Sequence, residues 1–207
     1  VKKKKGLFIT FEGVEGSGKS TQIELLKEFL SDKGYDVVAT REPGGTRIGD
    51  KIRKILLNPD FQEMDCRAEA LLYAASRAQH VAEIIAEAVE GGKIVISDRY
   101  TDSSLAYQSF GRGLEQKRLE VINEWATGGL EPDLTILLDI PADKGLRRTS
   151  RSLADRIEQE NLEFHDRVSK GFLRVAKKFP RRIRVVNASR DVEEIHQEVV
   201  KIVGKLL

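Results

Sequence analysis

The sequence predicts an α/β protein in three layers, a five-stranded parallel sheet with helices on both faces. Three observations predict it. Five short runs are apolar in sequence rather than alternating, and rich in β-branched residues, as strands buried on both faces are. Stretches with helical spacing lie between them, and such alternation builds parallel βαβ units. A glycine-rich turn joins the first strand to the first helix.

The first strand is Leu7 to Phe11. Thr21 to Leu30 follows as a helix, with Ile23, Leu25, Leu26, Phe29 and Leu30 as its apolar positions. The second strand, Val37 to Thr40, runs into Arg41-Glu42-Pro43-Gly44-Gly45-Thr46, a rigid turn that reads equally as a plain loop or a binding loop. Ala68 to Val89 is helical through Leu71, Leu72, Ala75, Ala78, Val81, Ile84, Ile85 and Val89, and stops at Gly91 and Gly92. Ile94 to Ser97 is the third strand, Thr135 to Leu138 the fourth and Ile183 to Val186 the fifth. From Val192, the residues Ile195, Val199, Ile202 and Val203 mark a closing helix. Ligands of such sheets bind at the carboxyl ends of the strands.

The 207 residues fit one domain, with 40% hydrophobic and 33% charged side chains, a globular composition. Lys+Arg 35 against Asp+Glu 33 leaves +2, which offers no general attraction to nucleic acid or membrane surfaces. The single cysteine, Cys66, excludes an internal disulfide framework and reads as a half-buried packing residue. No apolar run reaches the ~18 residues of a membrane span. Lys2 to Lys5 precede too short an apolar run for a secretory signal, so residues 1–5 read as a solvated basic tail on a soluble, cytoplasmic chain. His80, His165 and His196 have no metal-ligand spacing, and Trp125 reads as core or interface.

Gly13-Val14-Glu15-Gly16-Ser17-Gly18-Lys19-Ser20 fits G-x-x-x-x-G-K-[ST] directly after a strand and before a helix, the context of a phosphate-binding P-loop. Glycine turns aim backbone N–H groups inward, and the helix N-terminus adds positive potential. Lys19 is expected on the outer phosphates and the Ser20 hydroxyl on Mg²⁺. A switch GTPase is disfavoured, since no Asn-Lys-x-Asp tetrapeptide occurs. Asp98 and Arg99 end the third strand at the ligand edge. There Asp98 can hold Mg²⁺ or orient an acceptor, and Arg99 can present a planar fork to a second phosphate. Tyr73 and Arg77 share a helix face; a base-reading pair is conceivable, but spacing alone favours a core ring and a solvated charge. Arg147, Arg148, Arg151 and Arg156 cluster with a single acid, Asp155, as expected of a small lid over residues 147–158 that excludes water and steadies phosphoryl charge.

Together these segments resemble the bacterial thymidylate kinases, a branch of the P-loop nucleoside monophosphate kinases. The resemblance runs from about Gly6 to the C-terminus. It rests on Phe11-Glu12-Gly13 through Ser20-Thr21, Thr40 to Thr46, Leu71 to Gln79, Asp98-Arg99-Tyr100, Ala106-Tyr107-Gln108, Gly111-Arg112-Gly113, Pro132-Asp133-Leu134 and Asp155-Arg156-Ile157-Glu158. Of these, Arg41-Glu42-Pro43-Gly44-Gly45-Thr46 and Asp98-Arg99-Tyr100, in this order and spacing, are specific to the family. It implies that Gly13 to Thr21 bind ATP, that Glu15 contacts the dTMP sugar, and that Tyr73 stacks on thymine while Arg77 reads its carbonyl edge. It implies that Ser104 faces the base, Tyr107 packs on the deoxyribose, Arg99 holds the dTMP phosphate with Arg53 helping, and Gln108 lies beside base or sugar. Arg147, Arg151 and Arg156 match lid arginines. Some relatives carry an arginine in the P-loop where this chain has Gly16, and one lid position common in close relatives is Thr149 here. The resemblance further implies Mg²⁺ as cofactor, a homodimer, a cis bond before Pro43, and transfer of the γ-phosphoryl of ATP to dTMP. Another small-molecule P-loop kinase, and a DNA-linked or regulatory ATPase, are the competing readings.

Overall fold

A computed structural model describes residues 6–148 and 154–207. Five parallel strands, β1 (Leu7–Glu12), β2 (Val37–Arg41), β3 (Ile94–Asp98), β4 (Leu134–Asp139) and β5 (Ile183–Asn187), form one sheet in the order β2-β3-β1-β4-β5. Each contains its sequence-predicted run and extends it by a residue or two. The added residue is polar at the carboxyl end, Glu12, Arg41, Asp98, Asp139 and Asn187, which places the charges at the ligand edge.

The predicted helices are present as α1 (Lys19–Asp32), α3 (Cys66–His80) and α9 (Val192–Val203). A π-helical turn, Val81–Ile85, carries α3 into α4 (Ala86–Glu90), so the predicted stretch to Val89 is continuous. The sequence reading assigned no helix to α2 (Arg47–Leu56), α5 (Thr101–Ser104) with its π-helical extension Leu105–Gly111, α6 (Gln116–Thr127), α7 (Ala142–Arg148) or α8 (Leu162–Lys178). Side-chain caps set the starts of two of these. Thr46 accepts from the Gly49 N–H at 3.0 Å and Asn161 accepts from the Phe164 N–H at 2.9 Å, satisfying amides that an α-helix leaves free.

Apolar side chains fill both faces of the sheet. One cluster holds Ile9, Phe11, Ile96 and Ile136 with Leu26, Phe164, Val168 and Val199; a second holds Phe8 and Val95 with Val81, Ile85 and Tyr100. Phe8 and Tyr100 meet edge to face at 4.9 Å. Trp125 is not core, contrary to one half of its sequence reading: it is 88% exposed on α6. Cys66 is half-buried. Among the described residues no helix is long and apolar enough to cross a membrane. The tail at 1–5, Thr149 and Arg151 lie outside the described residues.

Register brings the motifs together. Phe11 of β1 is level with Asp98 of β3, which in turn is level with Arg41 of β2. The turns after these three strands therefore open on one side, where the order of strands reverses about β1.

Candidate active site

A cavity of about 700 Å³ runs along this edge. At one end lie Gly16, Ser17, Gly18, Lys19, Ser20 and Thr21 with Arg148, Arg190 and Asp191; at the other lie Arg53, Tyr73, Ser104, Tyr107 and Gln108. Glu15, Asp98 and Arg99 line it between the two.

The P-loop backbone explains its glycines. Gly13, Gly16 and Gly18 have φ of 141°, 68° and 91°, a region that costs other residues strain. Gly16 has a second reason. A Cβ there would stand 2.1 Å from the Gly145 carbonyl oxygen, and one on Gly145 would stand 2.3 Å from the Glu15 carbonyl oxygen. P-loop and α7 thus touch backbone to backbone, which leaves no room at Gly16 for the arginine some relatives carry. Gly13 and Val14 do not line the cavity, unlike the rest of the predicted loop. Their carbonyls each accept from Lys19 Nζ at 3.1 Å, and the Val14 side chain is core. Burial, with Arg99 nearby, pushes the Lys19 ammonium down to about 8, against the pull of Asp98, Glu15 and Glu12.

Arg99 has φ of 74°, the only positive φ outside glycine among the described residues. Held strain at a ligand edge points to function. The holding groups are visible. Glu12 accepts from the Tyr100 N–H at 2.8 Å, the Ser103 N–H at 3.2 Å and the Ser103 hydroxyl at 2.5 Å, and is fully buried. Burial, reinforced by Asp102, pushes its carboxyl up to about 8. Arg99 donates to the Gly13 carbonyl at 2.9 Å, Ser103 Oγ at 3.2 Å and Glu15 Oε1 at 3.1 Å, which aims the guanidinium along the P-loop. Burial opposes its charge, but Tyr107, Glu15, Asp98 and Glu12 outweigh that and hold it protonated more firmly than usual. The Tyr107 hydroxyl donates to the same Glu15 oxygen at 2.6 Å, and Arg99 stacks 5.0 Å over the Tyr107 ring. Burial pushes Glu15 up, yet His165, Arg99, Lys19 and Tyr107 together hold its carboxyl well below the usual carboxylate range.

Arg77 departs from its reading as a solvated charge, being 1% exposed. Its guanidinium donates to Glu42 at 2.8 Å, Ser104 Oγ at 2.9 Å, Asn123 Oδ1 at 2.6 Å and the Tyr100 carbonyl at 2.9 Å. Four of its five N–H donors are committed there, so it builds the wall behind Ser104. Glu42 also faces His80 at 3.0 Å, which makes the Arg41–Thr46 turn part of that wall; its Glu42–Pro43 bond is cis. Arg53 lines the cavity and donates to the Pro43 carbonyl at 2.9 Å.

The lid reading needs two corrections. Arg156 is not a free lid arginine: it is buried, bonding Glu69 at 2.7 Å and the Leu56 carbonyl at 2.8 Å. Glu69 also takes Arg112 at 3.0 Å and Gln108 at 2.9 Å, so the Arg156 end of the lid segment is pinned to the acceptor wall. Arg147 is largely exposed, lies 3.7 Å from Asp143, and lines a smaller neighbouring cavity instead. Arg148, left without a role of its own in the sequence reading, lines the main cavity and donates to the Ala188 carbonyl at 3.3 Å. Arg190 and Asp191, in the turn after β5, were missed as well. Their only sequence signal was position at a strand's carboxyl end.

The residues present fit Mg²⁺. Asp98 Oδ1 is buried with no hydrogen-bond partner, at the cavity wall that Ser20 shares. No group of three or more His, Cys, Asp or Glu side chains able to hold a metal occurs among the described residues, so the remaining ligands would be phosphate and water, as Mg²⁺ accepts.

A P-loop facing a second, arginine-gated pocket defines a phosphotransferase with a small-molecule acceptor. The thymidylate kinase family model matches residues 11–199, and the chain belongs to that family. It is 53% identical to the thymidylate kinase of Pelotomaculum thermopropionicum, covering 98% of this chain and 95% of the relative. It is 50% identical to that of Halothermothrix orenii, covering 98% and 99%. The crystal structure of thymidylate kinase from Ehrlichia chaffeensis superposes with a TM-score of 0.80 at 36% identity, over 96% of this chain and 99% of that one.

Proposed function

We propose that the chain transfers the γ-phosphoryl of MgATP to the 5′-phosphate of dTMP, giving ADP and dTDP. The observation that carries this reading is Arg99, strained and fixed between the P-loop and a pocket walled by Tyr73, Tyr107, Ser104 and Gln108. The glycine loop and Lys19 bind the ATP phosphates, and Arg148 and Arg190 flank that end. Bound Mg²⁺ would neutralise phosphate charge beside Ser20 and Asp98. Arg99 holds the acceptor phosphate in line with the donor. Because a phosphate oxygen is already anionic, no strong general base is required, and catalysis is alignment plus charge stabilisation. Tyr73 roofs the base, with Ser104 at its edge and Arg77 supporting Ser104 from behind; Tyr107 packs on the deoxyribose, where a 2′-hydroxyl would crowd it. Arg151 acts from the lid on the transition state.

The reading extends to a single 1–207 domain acting as a cytoplasmic homodimer without nucleic acid or membrane partners. Trp125 and Val121 on α6 and Leu71 on α3, all exposed and apolar on two helices that pack together, support the dimer. An acceptor panel with MgATP tests the activity. Turnover of dTMP well above UMP, CMP and AMP is expected; a faster rate with any of these, or none with dTMP, would overturn it.

A further inference from the structure

One titratable side chain beside the P-loop has no part in the roles above. His165 has 0% exposure and stands in the first turn of α8, whose start Asn161 fixes. The edge of its ring packs on Phe164, with centroids 5.4 Å apart. Its Nδ1 is 3.5 Å from Glu15 Oε2.

The two oxygens of Glu15 differ. Oε1 accepts from Tyr107 and Arg99. Oε2 is sealed from solvent and receives no hydrogen bond of standard geometry, and neither ring nitrogen of His165 makes one. A separation of 3.5 Å is long for a hydrogen bond but short for an electrostatic contact where water is excluded. Buried polar atoms left alone are costly, and these two have only each other.

We propose that His165 is a positioning residue for the acceptor site: its Nδ1–H faces Oε2, the rear oxygen of Glu15, and keeps Oε1 turned toward Arg99 and Tyr107. The proposal rests on the reading of Arg99 and Tyr107 as acceptor-site groups. With the proton on Nδ1, a neutral ring leaves only a lone pair without a partner, at Nε2. The other tautomer would set a lone pair against a carboxylate and strand an N–H. If Glu15 rotates, Tyr107 loses its acceptor and Arg99 one of its three bonds, so the effect falls on dTMP rather than ATP. The contact also ties α8, the helix after the lid segment, to the P-loop.

Three substitutions separate positioning from packing. H165F keeps a ring without a donor, H165Q shifts the amide toward the Nε2 position, and H165N keeps a donor near Nδ1. H165F and H165Q are expected to raise KM for dTMP about tenfold, the scale of a charged hydrogen bond, with kcat and KM for ATP within about twofold. H165N is expected to restore KM for dTMP to within about threefold of wild type. An unchanged KM for dTMP in H165F, or equal losses in H165N and H165F, would overturn the proposal. Should the variants not fold, the ¹⁵N spectrum of the wild-type imidazole decides: a protonated Nδ1 is expected, and a bare Nδ1 with a protonated Nε2 contradicts it. Wild-type turnover of dTMP is measured alongside. Its absence would remove the acceptor reading itself, whereas an active wild type with unaltered variants removes only His165.

Discussion

On the acceptor side of the P-loop, Arg99 has a side chain 17% exposed and makes three hydrogen bonds, and Arg77, in the wall of the acceptor pocket, makes four. Near the donor end, Arg147 is 79% exposed and its nearest acid is 3.7 Å away, while Arg148 holds one carbonyl at 3.3 Å. The acceptor side is built by buried, mutually satisfied charges, whereas Arg147 and Arg148 have little to hold them. The difference teaches where orientation is stored. The acceptor groups are fixed by the fold, so their geometry carries little reorganisation cost when dTMP arrives. Arg147 and Arg148 carry little such preset orientation.

Breaking the fixed end should cost most. Arg156→Ala removes one partner of the buried Glu69 cluster and should lower stability by about 3 kcal/mol, read by urea unfolding. A loss in kcat without a loss in stability would return Arg156 to the lid. Arg99→Ala should raise KM for dTMP roughly a hundredfold, with a much smaller change for ATP, as when one member of a desolvated charge pair is removed. A change confined to ATP would refute that division of the cavity. At the donor end, Lys19 sheds its proton near 8, so its attraction for the triphosphate is complete below that pH and lost above it. KM for ATP should then climb by up to about tenfold per pH unit above 8, while KM for dTMP follows less steeply; a flat profile from pH 7 to 10 would contradict the shift. The smallest effect is expected from Tyr73→Phe. No hydrogen bond reaches the Tyr73 hydroxyl among the described residues, so KM for dTMP should stay within about twofold in steady-state kinetics. A large rise would show that the hydroxyl grips the acceptor.

What the sequence revealed follows the same divide. The five strands, the P-loop and the Asp98-Arg99 strand end were legible because each is a local pattern: a run, a turn, a boundary. Arg77 and Arg156 were misread because their partners are remote in the chain, 35 residues away for Glu42 and 87 for Glu69. A guanidinium reads as solvated, or as catalytic, until a buried carboxylate is brought to it. His165 had no metal spacing and so no local signal, and its relation to Glu15 exists only once α8 lies under the P-loop. Helix α8 itself has Phe164, Val168, Phe172 and Val175 on its buried side, but charged residues between them hid the period. Arg148 was placed only within the lid cluster and Arg190 was overlooked, because the donor end is furnished from two turns far apart in the chain.

Titrating the protein calorimetrically with dTMP alone, before any ATP is added, tests most directly whether the acceptor end is preassembled. One site per chain should fill, with an affinity that changes by less than about tenfold when a nonhydrolysable ATP analogue and Mg²⁺ are present. Binding of dTMP only after the nucleotide has bound would contradict the account.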